Sequence, residues 1–304
     1  MKKIILIIIS FSFLAIAGFS QQIPLYSQYM FNKLLLNPAV TGNTDAIELR
    51  ITARQQWMGI ENTPSTQIIS GHLRLNNGTM GVGGVIYADR FGPESRIGLQ
   101  GNYSYILPVF NEEARLAFGL SFQVFQYQMD YANFTSLDID DPVLAYNKEN
   151  SWRPESDFGV YLYGEKYFAG LSANQLIALP VKIGGDEAEL NTLIRHYNLM
   201  GGYNFSVGRD FNLEPSTLLK TSFKAPFQAD INIKGIYQKD YWLGFSYRTS
   251  GDIITMLGLT YKDFVFGLAY DLATSKLIHY QNGTFEIMLG YNIPITGRSG
   301  ISRF

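Results

Sequence analysis

A long alternation of apolar and polar residues is the feature that most restricts the fold of this chain. An α-helix would not separate the two sets, because side chains on one face of a helix recur every 3.6 residues rather than every two. The alternating stretch is longer than most strands of soluble sandwiches and matches a transmembrane barrel strand, which has about 10 residues. It spans residues 95–107, where one face carries Ile97, Leu99, Gly101, Tyr103, Tyr105 and Leu107 and the other carries Arg96, Gly98, Gln100, Asn102 and Ser104.

The same pattern recurs along the chain and predicts fourteen strands. An even number of strands is typical of bacterial outer-membrane barrels. We therefore predict an all-β fold, a transmembrane antiparallel up-and-down β-barrel. The predicted strands are approximately 46–57, 65–75, 79–88, 95–107, 114–126, 156–163, 166–174, 194–207, 210–220, 227–238, 241–249, 252–261, 264–273 and 284–294.

The connections between these strands alternate between short and long. Every even-numbered connection is tight, as at Gly164-Glu165, Gly208-Arg209 and Lys239-Asp240. The odd-numbered connections include the long stretches 127–155 and 175–193. Outer-membrane barrels have short turns on the periplasmic side and long loops outside, whereas a soluble sandwich has no reason to keep this order.

The first twenty residues have the features of a secretory signal peptide. Lys2 and Lys3 precede the apolar stretch 4–17, and small residues occupy the −3 and −1 positions of a cleavage site after Ser20. The apolar stretch is too short for a transmembrane helix. We therefore expect export through a leader, residues 1–20, that is cleaved, and a location in the outer membrane of a Gram-negative bacterium.

Residues 21–45 do not alternate and precede a barrel predicted over residues 46–304. Within them, 26–36 could form about three helical turns, which Asn37-Pro38 would end. Their mixture of polar and aromatic residues suits an N-terminal plug or a periplasmic lead-in. A simple linker with one helical turn is the alternative.

Composition agrees with an exported barrel. The formal net charge is −2, and loss of Lys2 and Lys3 with the leader leaves −4, which argues against a nucleic-acid partner. No cysteine is present, so the chain has no lipoprotein attachment site and no disulfides. The 20 tyrosines and 29 glycines are typical of a barrel in contact with outer-membrane lipid.

Strand alternation also predicts which side chains face the lumen. On the first strand Arg50 and Arg54 face inward, and on the last two strands Asp271 and Glu286 do so. Because barrel closure brings the last strand beside the first, we expect Glu286 and Arg54 to pair near the outer rim. These four residues form the predicted lumenal polar network.

Several segments resemble the PorP/SprF family of type IX secretion system outer-membrane proteins. The resemblance covers nearly the whole mature chain and is carried by Asn37-Pro38-Ala39, Arg54-Gln55-Gln56-Trp57, Asp89 with Gly92, and Tyr270-Asp271. Many family members have Gly-Ser-His-Glu before the last strand, whereas this chain has Gly283-Thr284-Phe285-Glu286. The resemblance implies a barrel that works with the type IX apparatus to export or retain large surface proteins, including gliding adhesins, whose C-terminal signal domain is not cleaved.

Residues that could support other chemistry are sparse. The three histidines, His72, His196 and His279, have no serine or carboxylate at a spacing typical of a hydrolase, so we expect no enzymatic activity. The acidic stretch 138–141 could bind calcium but lacks the EF-hand spacing, and we expect no cofactor or metal.

The long connection 127–155 is the predicted partner-binding region. It carries several apolar side chains, too many for a solvated tail, so it is expected to pack over the barrel mouth or onto a partner. We predict that Trp152, Phe134, Tyr146 and Trp57 bind the C-terminal domain of a secreted surface protein, and that periplasmic type IX secretion or gliding machinery binds the short-turn rim. A lid that only seals the lumen is the alternative role for this loop. A passive diffusion channel for small solutes is the alternative function of the barrel.

Overall fold

The computed structural model describes residues 25–75, 78–130, 148–182 and 189–295, with the backbone alone for 181–182 and 189–192. The predicted signal peptide, Phe134, Tyr146 and the acidic stretch 138–141 lie outside these residues.

The described chain forms a closed antiparallel β-barrel of fourteen strands, which confirms the predicted fold class. Two further short strands, β8 and β9, form a separate hairpin, and β10 and β11 are two pieces of one barrel strand. The strands are β1 Ala46–Gln55, β2 Ser65–Arg74, β3 Met80–Phe91, β4 Glu94–Val109, β5 Ala114–Asp130, β6 Lys148–Gly164, β7 Tyr167–Asn174, β8 Pro180–Lys182, β9 Glu189–Thr192, β10 His196–Tyr203, β11 Phe205–Val207, β12 Phe211–Thr221, β13 Gln228–Tyr237, β14 Tyr241–Arg248, β15 Asp252–Tyr261, β16 Phe264–Ala273 and β17 Thr284–Pro294.

The first and last strands close the barrel. Ten consecutive residues of β1 pair with β17, from Ala46 opposite Pro294 to Gln55 opposite Phe285. Elsewhere the ladder is interrupted only between β10 and β11, where Pro215 of β12 lies between the paired positions Ser216 and Leu213. Proline lacks the N–H group that a ladder hydrogen bond needs, which explains the break.

Strands β3, β5 and β6 extend further than predicted at the long-loop rim. The connection expected over 127–155 is therefore shorter, because β5 continues to Asp130 and β6 begins at Lys148. A salt bridge of 3.4 Å joins these two ends. On the β5 extension the outward residues are polar while Tyr127 and Met129 face inward, and on the β6 extension polar residues occupy both faces. The outward apolar face that revealed the other strands is therefore absent there. The connection expected over 175–193 contains the β8–β9 hairpin.

Apolar side chains cover the outer face of the barrel. β16 alternates without a break between exposed and buried residues, and Phe264, Phe266, Leu268, Tyr270 and Leu272 form its exposed face. An outward apolar band is expected where strands meet lipid. Among the described residues, no helix is long and apolar enough to cross a bilayer.

Residues 25–45, here called the inner segment, lie inside the barrel. They form three short 3-10 helices, η1 Tyr29–Phe31, η2 Lys33–Leu35 and η3 Pro38–Val40. The prediction of a helix over 26–36 is wrong. The φ of Asn32 is −142°, which is not a helical angle, so the helical backbone is interrupted between η1 and η2. Most side chains of the segment are buried, and they form one core cluster with inward residues of the barrel strands.

Candidate functional site

A buried ion cluster lies inside the barrel where β1 meets β17, near the long-loop rim. Arg54 of β1 contacts Asp271 of β16 at 2.8 Å and Glu286 of β17 at 3.1 Å. Arg54 and Glu286 are direct partners in the strand register, so barrel closure itself brings them together. The pairing that we expected across this seam is present.

The inner segment is bound to this cluster by its backbone. The N–H groups of Ser27 and Gln28 each donate to the Glu286 carboxylate, at 2.9 Å. The Ser27 hydroxyl donates to Asp271 at 2.7 Å and accepts from Arg54 at 2.6 Å. Charged acceptors make such hydrogen bonds stronger than neutral ones, so Glu286 anchors the start of the described inner segment.

A second buried ion pair extends the cluster to the next strands. Arg248 of β14 contacts Asp230 of β13 at 3.0 Å, and its guanidinium also donates to the Tyr26 carbonyl at 3.1 Å. Arg248 lies 3.9 Å from Asp271, which connects the two ion pairs. Sequence reasoning missed this pair, although both residues lie on the inward face of predicted strands and the alternation used for β1 would have found them.

The middle of the inner segment packs against cations and aromatic rings. The Phe31 ring packs against Trp242 with ring centroids 4.0 Å apart and a tilt of 30°, and the Lys33 ammonium lies 4.2 Å above the ring of Phe168. Burial lowers the pKa of the Lys33 ammonium, and the negative charge of Glu214 opposes this decrease. Glu214 also forms an ion pair of 3.0 Å with Lys234, so the lumen carries paired charges at this level.

The last part of the inner segment contacts the wall where the strands carry glycine. The Asn37 side chain donates to the Val160 carbonyl at 3.0 Å and caps η3 through the Ala39 N–H at 2.9 Å. A Cβ atom at Gly159 would overlap the Asn37 side chain, and one at Gly119 would overlap the backbone of Ala39. The wall is therefore shaped to admit the segment backbone at close range.

The remaining predicted site residues are dispersed. Arg50 bonds Asn292 at 2.7 Å and Glu48 at 3.1 Å and has no recorded contact with the Arg54 cluster. Trp57 has a left-handed backbone, with φ of 50°, and its N–H donates to Thr284 at 3.1 Å.

We expected Trp152 to lie in the connection 127–155, but the structure places it within β6. Its side chain is 61% exposed and points outward. In the strand register Trp152 of β6 lies opposite Gln126 of β5, and Gln126 lies opposite the exposed Ile97 of β4.

The structure places His72 and His279 in different surroundings. Nδ1 of His72 accepts the N–H of Gly42 at 3.2 Å, and His279 lies in an exposed 3-10 turn, Lys276–His279. Within the described ranges, no group of three or more histidine and acidic side chains is arranged to hold a metal ion.

Comparison with known proteins identifies the family. The model of the type IX secretion system membrane protein PorP/SprF matches residues 18–291. The chain belongs to the PorP/SprF family. Family membership implies association with the type IX secretion machinery and the membrane. It also argues for a non-enzymatic role, and it fits a location in the outer membrane.

The chain is similar to several solved structures, and the first of them shows the barrel fold in a distant protein. The toluene transporter TbuX of Ralstonia pickettii has 10% sequence identity and a TM-score of 0.53, over 86% of this chain and 93% of that chain. The CymD monoaromatic hydrocarbon channel has 11% identity and a TM-score of 0.48, over 92% and 96% of the two chains. Omp33 of Acinetobacter baumannii has 9% identity and a TM-score of 0.46, over 84% and 100%. None of the curated proteins compared with the chain matches it.

Proposed function

We propose that this PorP/SprF-family barrel supports secretion or surface attachment of a large secreted protein by binding its C-terminal domain at the long-loop rim. In this proposal residues 21–45 act as a plug, and the short-turn rim binds periplasmic type IX secretion or gliding machinery. The family membership supports a role in type IX secretion. The occupied interior of the barrel supports the assignment of partner binding to the rims.

The filled lumen is the observation that carries the proposal. The inner segment hydrogen-bonds to wall residues on opposite sides of the barrel, such as Glu286 of β17, Ser104 of β4 and Ser172 of β7. These contacts hold its backbone inside the barrel, and the proposal requires that it narrow the path for solutes while it stays docked. The rims and the outer face then remain as the surfaces for a large protein.

The alternative function, passive diffusion of small solutes, requires release of the inner segment. Purified protein in a planar bilayer distinguishes the two functions. The proposal requires wild-type protein to give little steady current, and a large open-channel current would favour the diffusion channel.

Trp152 is the proposed anchor for the partner, with Trp57, Phe134 and Tyr146 as further contacts. An exposed tryptophan buried at an interface can contribute about 2 kcal/mol or more, which corresponds to a loss of affinity of about thirtyfold on truncation. Phe158 provides a matched control, because it lies on the same outward face of β6 and is 43% exposed.

Binding to the purified C-terminal domain of a type IX surface protein tests the anchor. We expect Trp152→Ala to weaken binding about thirtyfold and Phe158→Ala to leave it unchanged. If both variants bind like the wild type, the anchor lies elsewhere on the rim.

Loop replacement tests the site in cells. We expect a glycine-serine linker in place of residues 131–147 to leave barrel insertion intact, because β5 and β6 keep their pairing to Asp130 and Lys148. Loss of the surface partner from the cell would support the proposal, and the matched control is the same replacement of residues 183–188. A partner retained at normal level would make the loop a lid only.

A further inference from the structure

A small cavity lies inside the barrel at the long-loop rim, away from the ion cluster at the seam. Its volume is about 50 Å³. The inner segment forms one side through Leu25, Leu35 and Leu36, and the connection between β12 and β13 forms another through Ser222, Ala225 and Pro226. Inward residues of β7, β10 and β12 complete the wall.

The polar side of this cavity is built by three neighbouring strands. Asn174 pairs with His196 in the strand register, and Asn198 pairs with Lys220. The Asn198 amide donates to Asn174 Oδ1 at 2.7 Å, which fixes both side chains. The four side chains therefore belong to one inward-facing patch whose geometry the barrel determines.

Two groups of this patch have unused hydrogen-bonding capacity. The Nδ1 atom of His196 is buried and has no hydrogen-bond partner among the described residues. Within the same residues, no carboxylate lies within 4.0 Å of the Lys220 ammonium. Asp230 attracts Lys220 electrostatically, but its carboxylate is already paired with Arg248 at 3.0 Å. A buried polar atom and a lysine without an ion-pair partner are both expected where a ligand supplies the missing group.

We propose that this cavity binds a carboxylate group attached to a small apolar group. A single lysine matches a single negative charge, and the Ser222 hydroxyl can donate to a carboxylate oxygen, while the His196 ring forms part of the cavity wall. The apolar side formed by Leu25, Leu35 and Leu36 suits a carbon substituent. Since one water needs about 10–15 Å³ of such space, the cavity has room for about three to five non-hydrogen atoms.

The carboxylate can come from the C-terminus of a polypeptide or from a free short-chain acid. The cavity is too small for a larger ligand, so the rest of a polypeptide would extend over the β12–β13 connection at the rim. This polypeptide source rests on the proposed function, because a secreted partner would present its end at this side of the barrel. The chemistry of the cavity itself does not depend on that function.

Ligand-observed NMR with the full mature barrel in a maltoside detergent tests the proposal. The probes are N-acetyl-leucyl-alanine with a free carboxylate, the same dipeptide as its C-terminal amide, and propionate. The variants are Lys220→Gln and His196→Phe, and Lys224→Gln is the control, because Lys224 is exposed on the same connection and does not line the cavity. Heat-modifiable migration in electrophoresis checks that each variant retains the folded barrel.

We expect the free dipeptide to bind the wild type and Lys224→Gln equally, and to bind Lys220→Gln and His196→Phe at least tenfold more weakly. The amide should bind the wild type at least tenfold more weakly than the acid. Binding of propionate without the dipeptide would support the carboxylate site and overturn its polypeptide source. Absence of binding by both acids, or equal binding to Lys220→Gln, would overturn the proposal. Failure of the C-terminal domain to bind the barrel would instead contradict the proposed function while leaving these small-probe results unaffected.

Discussion

Replacement of Glu286 with alanine removes the carboxylate that joins the first strand, the last strand and the inner segment. The carboxylate accepts three hydrogen bonds, from Arg54 at 3.1 Å and from the N–H groups of Ser27 and Gln28 at 2.9 Å each. Every group in this set is buried. The substitution therefore leaves two backbone donors without their acceptor and removes one partner of an ion pair.

The expected energy follows from these contacts. Removal of one partner from a buried ion pair costs about 3–5 kcal/mol, and each buried donor left unsatisfied costs about 1–3 kcal/mol. The two costs overlap, and Arg54 keeps its contact with Asp271 at 2.8 Å. We expect docking of the start of the inner segment to weaken by about 3 kcal/mol, which is on the order of a hundredfold in its equilibrium constant.

Trp242 provides the assay, because its ring packs against Phe31 of the inner segment with ring centroids 4.0 Å apart. In a background with Trp57→Phe and Trp152→Phe, Trp242 is the remaining tryptophan. Glu286→Ala should increase acrylamide quenching of its fluorescence and raise the current through a planar bilayer.

The matched control is Glu94→Ala. Glu94 forms an ion pair of 3.6 Å with Arg96, but its side chain is 28% exposed, so the loss should be about 0–1 kcal/mol. Equal quenching and equal current for Glu286→Ala and Glu94→Ala would show that the carboxylate does not anchor the segment.

Three further predictions concern the wall and the topology. Gly119→Ala should release the inner segment and raise bilayer current, whereas Gly101→Ala should not, because a Cβ atom there has no neighbour within 4 Å; equal currents would contradict the close contact. Leu289→Arg should reduce membrane insertion, at a cost of about 2–4 kcal/mol, and Leu277→Arg in a loop turn should not, although the two leucines are similarly exposed at 46% and 42%. Normal insertion of Leu289→Arg would contradict a lipid-facing strand. Trypsin added to intact cells should cleave the long-loop rim and spare the turn at 239–240, and cleavage at that turn would reverse the orientation.

The strands could be predicted from the sequence because each one carries its own signal. The alternation has a period of two, and lipid requires one apolar face, so β15 and β16 begin and end at the predicted residues, 252–261 and 264–273. The upper parts of β5 and β6 carry no such signal. They extend beyond the apolar band, where the outward residues of β5 become polar while Tyr127 and Met129 face inward, and where β6 has polar residues on both faces.

The interior could be predicted only where strand parity determines it. The alternation of inward and outward positions predicted that Arg54, Asp271 and Glu286 face the lumen. Pairing of neighbouring strands then brings these inward residues together. The alternation could not predict Ser27 or the path of the inner segment, since that segment has no period and its backbone groups are satisfied by distant wall residues. The contact between Ser27 and Glu286 spans 259 positions in the chain, and no local pattern encodes such a contact.

Closure of the seam also has a consequence for the order of assembly. Arg54 and Glu286 are 232 positions apart, so their contact forms after most of the sheet, since long-range contacts carry the largest loop-closure entropy. The inner segment precedes β1 in the chain and binds to β17. It therefore spans the β1–β17 seam, which is the last pair of strands to join. Its docking and the joining of the two end strands stabilise each other, and they should occur as one cooperative event. A nascent barrel would then acquire its inner segment at the moment it becomes a closed cylinder.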